Sequence, residues 1–201
     1  MRIPTDGEIL ALHEKHAPTP AALSLVYTHC LIVGEIADQL LATSGSAADP
    51  ALVRAGCLLH DIGVYPLYDD AGELDHAQYI RHGVLGQELL RAEGLPEVLC
   101  RFAAHHTGVG LTRDDVLQQS LPLPPADYLA DTPEETVVMY ADKFHTKSTP
   151  PSFLTAGAYA ARVRRFGPGK VAAFAAMRAA LGEPDLASLA AAYGQRVIGT
   201  D

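Results

Sequence analysis

Apolar residues recur at three- and four-residue steps from end to end of this chain, and no stretch sustains a two-residue alternation. That period is the helical one, so the predicted fold class is all-α. The breaks are equally readable. Thr5 or Asp6 caps a short first helix to about residue 16, which Pro18-Thr19-Pro20 ends. A longer helix over about 21–42 carries Leu25, His29, Ile32, Val33, Ile36 and Leu40 on one inward face. Asp49-Pro50 opens a third helix, Asp supplying the N-cap and Pro the first helical position. It runs through Leu52, Ala55, Cys57 and Leu59 and stops at Gly63. Residues 64–74, with Pro, Gly and acidic residues, read as a loop.

A helix over about 77–92 sets Gln78, His82, Leu85 and Leu89 on one face and closes at Gly94. Pro96 opens the next, which ends in His105-His106-Thr107-Gly108; His106 follows the line of Leu99 and Phe102, His105 that of Val98 and Arg101. Thr112 begins a short helix, residues 121–128 with three prolines are irregular, and Thr132-Pro133-Glu134-Glu135 starts a helix that reaches Asp142 and Lys143. Beyond Pro150-Pro151 the composition turns Ala-rich, with helices at about 155–166, 168–182 and 185–197. The chain therefore divides into a main body, 1–150, and a short C-terminal helical extension, 151–201, packing on it.

Composition narrows the function classes. At 201 residues and 48% hydrophobic content, the chain is long and apolar enough for a substantial core. No apolar run approaches the roughly 18–20 residues of a membrane span, and a basic-then-apolar leader pattern is missing from the start, so no membrane partner and a cytoplasmic location are expected. Three cysteines without a C-x-x-C pair argue against a thiolate zinc site or a disulfide framework. The net charge of −9, from 15 basic and 24 acidic residues, repels a nucleic-acid polymer. A small phosphate ester stays compatible, because a bound metal reverses the local field. The Ala-rich tail suits self-packing or a homodimer, with Arg162, Arg164 and Arg165 as lesser candidates for substrate contact.

The chemistry concentrates in nine histidines and a few carboxylates. His60 and Asp61 are adjacent where a helix gives way to the Gly63 turn. Inside a helix neighbours point about 100° apart, but at a helix end that restriction relaxes and both side chains can reach one cation. A lone inward histidine is usually a satisfied core residue, and a lone helix-end Asp142 fits an ion pair with Lys143. Yet His29, His60, Asp61, His82, His105, His106 and Asp142 together would leave several buried polar groups unpaired, each at a cost of several kcal/mol. A shared metal satisfies them at once.

The order H … HD … H … HH … D resembles the HD superfamily of metal-dependent phosphohydrolases. His60-Asp61-Ile62-Gly63 matches its HDIG variant. Ile80-Arg81-His82-Gly83, His105-His106-Thr107-Gly108-Val109-Gly110 and Tyr140-Ala141-Asp142-Lys143-Phe144 look like an uncharacterised bacterial branch of it. The likeness spans roughly residues 21–150. It implies an HD-domain helical bundle in which His29, His60, Asp61 and Asp142 hold one ion. Asp61 would bridge to a second ion held by His82 and by one or both of His105 and His106, of which His106 is the better placed. Imidazole and carboxylate without thiolate suit Fe, Mn, Co, Ni or Zn; iron or manganese come first by resemblance.

The resemblance further implies hydrolysis of a phosphate ester or anhydride of a small nucleotide, by water that two cations about 3.5–4 Å apart activate for in-line attack. Asp61 and Lys143 are then the catalytic candidates, and Lys143, Arg81 and Lys147 the phosphate-binding ones. Tyr65, Tyr68 and Tyr79 are candidates to stack a base. Val109-Gly110-Leu111 follows the paired histidines where cyclic-dinucleotide phosphodiesterases of this type usually carry Gly-Tyr-Pro, which argues against that branch. Two rivals share the ligand inventory: a di-iron oxygenase of the HD type, and a metal-containing nucleotide-binding regulatory module.

Overall fold

Helix starts in this protein are written as side-chain caps. In the computed structural model, which describes residues 2–199, Thr5 accepts from the Glu8 amide while Glu8 reaches back to the Thr5 amide, opening α1 (Asp6–His16). Thr19 caps α2 (Pro20–Ser44) and Asp49 caps α3 (Pro50–Leu59), each followed by Pro at the first turn. Thr112 and Thr132 do the same for α6 (Arg113–Gln118) and α7 (Pro133–Ala141), and Thr155 and Asp185 for α8 (Ala156–Val163) and α10 (Leu186–Tyr193). Each cap satisfies amides that a helix cannot, for about 1 kcal/mol. Between them lie α4 (His82–Ala92), α5 (Glu97–His105) and α9 (Pro168–Leu181). The fold is all-α.

The long α2 is the centre of the molecule, packed by α3, α7 and α9. Val26, His29, Cys30, Ile32, Val33, Ile36 and Leu40 are buried along it, and Gly45, left-handed at φ 67°, ends it. With 25 residues and an 18-residue window of mean hydropathy 1.4, α2 passes a membrane-span test by length and composition. That corrects the reading that no run is long enough. Half of that window is buried against the rest of the fold.

Two segments differ from the sequence reading. Residues 64–74, read as a loop, begin inside a 3₁₀ helix, Ile62–Leu67, whose Val64 and Tyr65 are buried. The helix expected over 77–92 is a 3₁₀ turn, His76–Arg81, followed by α4. Its inward face is His82, Gly83, Gly86 and Leu90 rather than Leu85 and Leu89. The cause is close backbone approach: a Cβ on Gly63 would stand 2.0 Å from the His82 carbonyl oxygen and 2.2 Å from the Gly86 nitrogen. Glycines at 63 and 86 let α4 lie directly on the turn that carries Asp61.

Three short strands were also unexpected: β1 (His145–Thr146), β2 (Ser152–Leu154) and β3 (Arg196–Ile198). β2 pairs antiparallel with β1, His145 opposite Phe153, and parallel with β3, Phe153 opposite Val197. At two or three residues each, these strands are too short to show a period. Phe153, Phe174, Leu181 and Leu189 belong to the same buried cluster as α2 and α7, and the Tyr140 hydroxyl donates to the Gly182 carbonyl at 2.8 Å. The apolar core is thus continuous across residue 150.

Candidate metal centre

α3 delivers His60 and Asp61 to one point by ending. His60 keeps helical angles (φ −56°, ψ −34°), whereas Asp61 turns out to φ −105°, ψ 7°. The two side chains then converge instead of fanning apart. His29 arrives from the middle of α2, His82 from the start of α4, His106 from the end of α5, and Asp142 from the end of α7. All but Asp142 are buried, and its side chain is 16% exposed.

Six of the seven expected ligands meet, in two groups that share Asp61. Its Oδ2 faces His29 Nε2 at 3.2 Å and His60 Nε2 at 3.4 Å. Asp142 Oδ1 lies 3.0 Å from His29 Nε2 and 3.6 Å from His60 Nε2. Asp61 Oδ1 faces the other way, 3.6 Å from His82 Nε2 and 3.5 Å from His106 Nε2. Such a carboxylate has one oxygen for each of two neighbouring nitrogen pairs. The seventh, His105, does not join them. Its Nδ1 faces Glu135 Oε2 at 3.7 Å, in a cluster with Arg101 and Asp131 on the other side of α5, because one helical step rotates it away from His106.

The tautomers are set by helix ends. His60 Nδ1 donates to the Cys57 carbonyl, His82 Nδ1 to Tyr79 and His106 Nδ1 to Ala103, each three residues back and each at 2.7 Å. These carbonyls sit in the last turn of their helices, where acceptors are spare. With Nδ1 protonated, a neutral ring presents a bare lone pair at Nε2. His82 Nε2 and His106 Nε2 stand only 2.9 Å apart, so the contact is not a hydrogen bond between neutral rings. Two facing lone pairs call for a cation. Asp61 Oδ1, buried and without a hydrogen-bond partner, faces the same point. Divalent metal fits this donor set, with the outer nitrogens already held as metal-binding histidines require.

The field agrees. Burial lowers His82 to about 3 and pushes His106 down as well, so both are neutral and available as ligands. Burial opposes ionisation of Asp61 and Asp142, but Lys147 with His60 and Lys143 with His29 respectively hold them well below the carboxylate range. Burial disfavours a charged His60, yet Asp61 and Asp142 outweigh it and raise its proton affinity well above the ordinary value. A field that retains a proton on an imidazole also favours a cation beside it.

Of the expected phosphate contacts, two lysines are at the centre and the arginine is not. Lys143 Nζ donates to Asp142 Oδ2 at 2.6 Å and to the His106 carbonyl at 3.0 Å. Lys147 pairs with Asp61 Oδ2 and lies 5.9 Å from the Tyr79 ring centre. Opposition by burial notwithstanding, Asp142 and Asp61 keep the two ammonium groups above their usual pKa. Both line a cavity of about 630 Å³ whose floor is Asp61, His82, His106 and Asp142. Arg81 does not line it: with three residues per turn, His82 facing the centre turns its neighbour about 120° away. Tyr68 and Tyr79 line it, while Tyr65 instead meets the buried His13 Nδ1 at 2.7 Å.

The extension contributes to the cavity wall through Tyr159, Arg162, Arg165 and Phe166. Neither arginine makes an ion pair among the described residues, although acidic side chains outnumber basic ones. Two histidines of the cavity wall, His76 and His145, were missed altogether. His145 in β1 lies with its Nδ1 2.8 Å from His29 Nδ1, and burial beside His29 lowers it to about 3. Its place three residues after Asp142 was the available signal.

The profile of the HD domain matches residues 26–147. The chain is 41% identical over 127 residues to the uncharacterized protein MJ0778 of Methanocaldococcus jannaschii, covering 61% of this chain and 68% of that one. It is 37% identical over 95 residues to a tRNA (cytidine(56)-2'-O)-methyltransferase of Thermoplasma volcanium, covering 47% of this chain and a quarter (25%) of that enzyme. In structure it is similar to the HD domain of the L. monocytogenes phosphodiesterase PgpH, with a TM-score of 0.52 at 20% identity, over 92% of this chain and 98% of that one. The same domain in complex with cyclic-di-AMP gives 0.53 at 21%, over 95% and 99%. With the domain profile spanning more than half of its residues and the H … HD … H … D order gathered at one centre, the chain belongs to the HD-domain family.

Proposed function

We propose that this protein is a metal-dependent phosphohydrolase that cleaves a phosphate ester or anhydride of a small nucleotide. The observation that carries the reading is Asp61, whose two oxygens serve two separate nitrogen pairs at the floor of a cavity walled by Lys143, Lys147, Arg162 and Arg165. His29, His60, Asp61 and Asp142 would hold one divalent transition metal, iron or manganese first, and Asp61, His82 and His106 a second. When bound, such ions supply Lewis acidity, lowering the pKa of water and drawing charge from phosphoryl oxygens.

The side chains of this chain do the rest. Lys143 spans Asp142 and the His106 carbonyl, fixing a ligand from each group. Lys147, ammonium at neutral pH, is a point charge for a phosphoryl oxygen beside Asp61. Arg162 and Arg165, without carboxylate partners among the described residues, can take further anionic oxygens at the rim. Tyr68 and Tyr79 offer faces to a base, and Leu25, Val26 and Val64 keep the inner wall apolar. A cavity of about 630 Å³ is of nucleotide size, within the roughly 300–1,000 Å³ of small-molecule sites. The cyclic-di-AMP held by the PgpH domain supports a nucleotide ligand.

The test is metal analysis of the purified protein, then reconstitution with Mn²⁺ or Fe²⁺ and product analysis over nucleotides, in air and under argon. Phosphoryl cleavage that is independent of oxygen and lost in Asp61→Ala is expected. Oxygen-dependent product would move the assignment to an HD-type oxygenase, and tight binding without turnover to a regulatory module.

A further inference from the structure

Three of the four site histidines take their orientation from carbonyls in the last turn of a helix. His29 cannot. It lies in mid-α2, where the carbonyls three and four residues back are engaged in the helix itself. Its Nδ1 meets a side chain instead, His145 Nδ1 at 2.8 Å, and His145 Nε2 in turn meets Gln195 Oε1 at 2.8 Å. The small sheet makes this possible: β1 begins at His145, Gln195 immediately precedes β3, and β2 pairs with both.

The Gln195 end of that file fixes the links back to His29 Nδ1. A neutral imidazole has one N–H and one lone pair, and an amide oxygen only accepts. His145 therefore carries its hydrogen on Nε2, toward Gln195, and offers a lone pair at Nδ1. His29 must then donate from Nδ1, so a cation held with Asp142 Oδ1, 3.0 Å from His29 Nε2, meets a bare ring nitrogen there. That is the state in which an imidazole ligates a metal. A donor at position 195 would reverse every link and turn an N–H toward the centre. Gln195 also lines a second cavity, of about 340 Å³, with Ser24, Thr28 and Pro151.

We propose that Gln195 is a positioning residue which, through His145, selects the Nδ1–H tautomer of His29 and so makes the C-terminal segment part of metal binding. The inference rests on the metal-centre reading above and adds residues that the HD pattern does not contain. It predicts a graded series. Gln195→Glu keeps an acceptor and keeps Mn²⁺ affinity, measured by competition with a chromophoric chelator. Gln195→Met removes the acceptor and costs about 10- to 100-fold, the range for partners that orient a ligand histidine.

Gln195→Lys supplies only donors and costs more than Ser24→Lys, which puts the same charge on the wall of the same cavity and leaves the Gln195 acceptor on His145 in place. Tautomers are read independently by ¹⁵N shifts of the metal-free protein: His29 is protonated at Nδ1 in the wild type and in Gln195→Glu, and at Nε2 in Gln195→Lys. A packing role alone would lower thermal stability and leave the tautomer in place. Wild-type affinity in both Gln195→Met and Gln195→Lys, with His29 still protonated at Nδ1, would overturn the proposal. A wild type that binds no Mn²⁺ would overturn the metal reading instead, and the tautomer shift would still test the relay.

Discussion

His105 and His106 are adjacent at the end of α5 and serve two unlike clusters. His105 sits with Glu135 and Asp131, His106 with His60 and Asp61, and by residue type either trio could bind a metal. They differ in what already answers the charge. Arg101 bonds Glu135 at 2.7 Å and Asp131 at 2.6 Å, and Glu135 also accepts from the Asp131 amide at 2.7 Å. A permanent planar cation thus fills the acceptors, leaving a single ring nitrogen, His105 Nδ1, without a partner. At the other cluster Lys143 and Lys147 serve one oxygen each of Asp142 and Asp61. An ammonium there does nothing for the facing imidazole lone pairs. What marks a metal site is therefore acceptors that no resident donor can reach.

The largest break in that comparison should come from Asp61, the one residue common to both nitrogen pairs. Asp61→Asn should remove bound metal and reduce turnover by more than about 100-fold, beyond the range typical for groups that merely orient a ligand. Metal content and phosphoryl cleavage measured on the same sample check both. Next, His106→Ala should lose the ion on the His82 side, while His105→Ala keeps the wild-type metal content. Equal metal loss in the two variants would erase the distinction drawn between them. Glu135→Gln sharpens it from the other side. It leaves Arg101, 27% exposed, with Asp131 as its remaining carboxylate, so stability should drop by about 1–3 kcal/mol in urea unfolding. Its metal content should not change.

What the residues disclosed in advance, and what they did not, divides along a physical line. Caps are local: Thr5, Thr19, Asp49, Thr112 and Thr132 each bond amides within three residues, so helix starts were legible. The spacing of His29, His60-Asp61, His82, His106 and Asp142 carried the centre for the same reason, since each lies on an inward stripe or a helix end. The face of α4 was misread because it is set by Gly63 and Gly86, and glycine has no apolar side chain to betray a contact. Arg81 was offered as a phosphate contact, but neighbours on a helix of either pitch point about 100–120° apart, so with His82 facing the centre it does not line the cavity. His145 and Gln195 join the site only through contacts between segments 50 and 116 residues apart, which no local pattern encodes.

The smallest predicted effect concerns protons and belongs to the arginine-filled cluster. Burial raises the carboxyl of Glu135, but His105, Arg101 and the Asp131 amide outweigh it and take the group from 4.5 down to about 2. As pH falls through 4.5 the unfolded chain takes up this proton and the folded one does not. The unfolded state then binds more protons, and stability declines by at most about 1.4 kcal/mol per pH unit. The contribution is fully present above pH 4.5 and gone once the pH reaches about 2. Urea unfolding of the wild type and of Glu135→Gln, compared between pH 5 and pH 3.5, isolates it from the other carboxylates. The stability difference between the two proteins should narrow as the pH is lowered. A difference that stays constant would mean Glu135 is not held as an ion pair with Arg101, and the contrast between the two clusters would then lose its electrostatic basis.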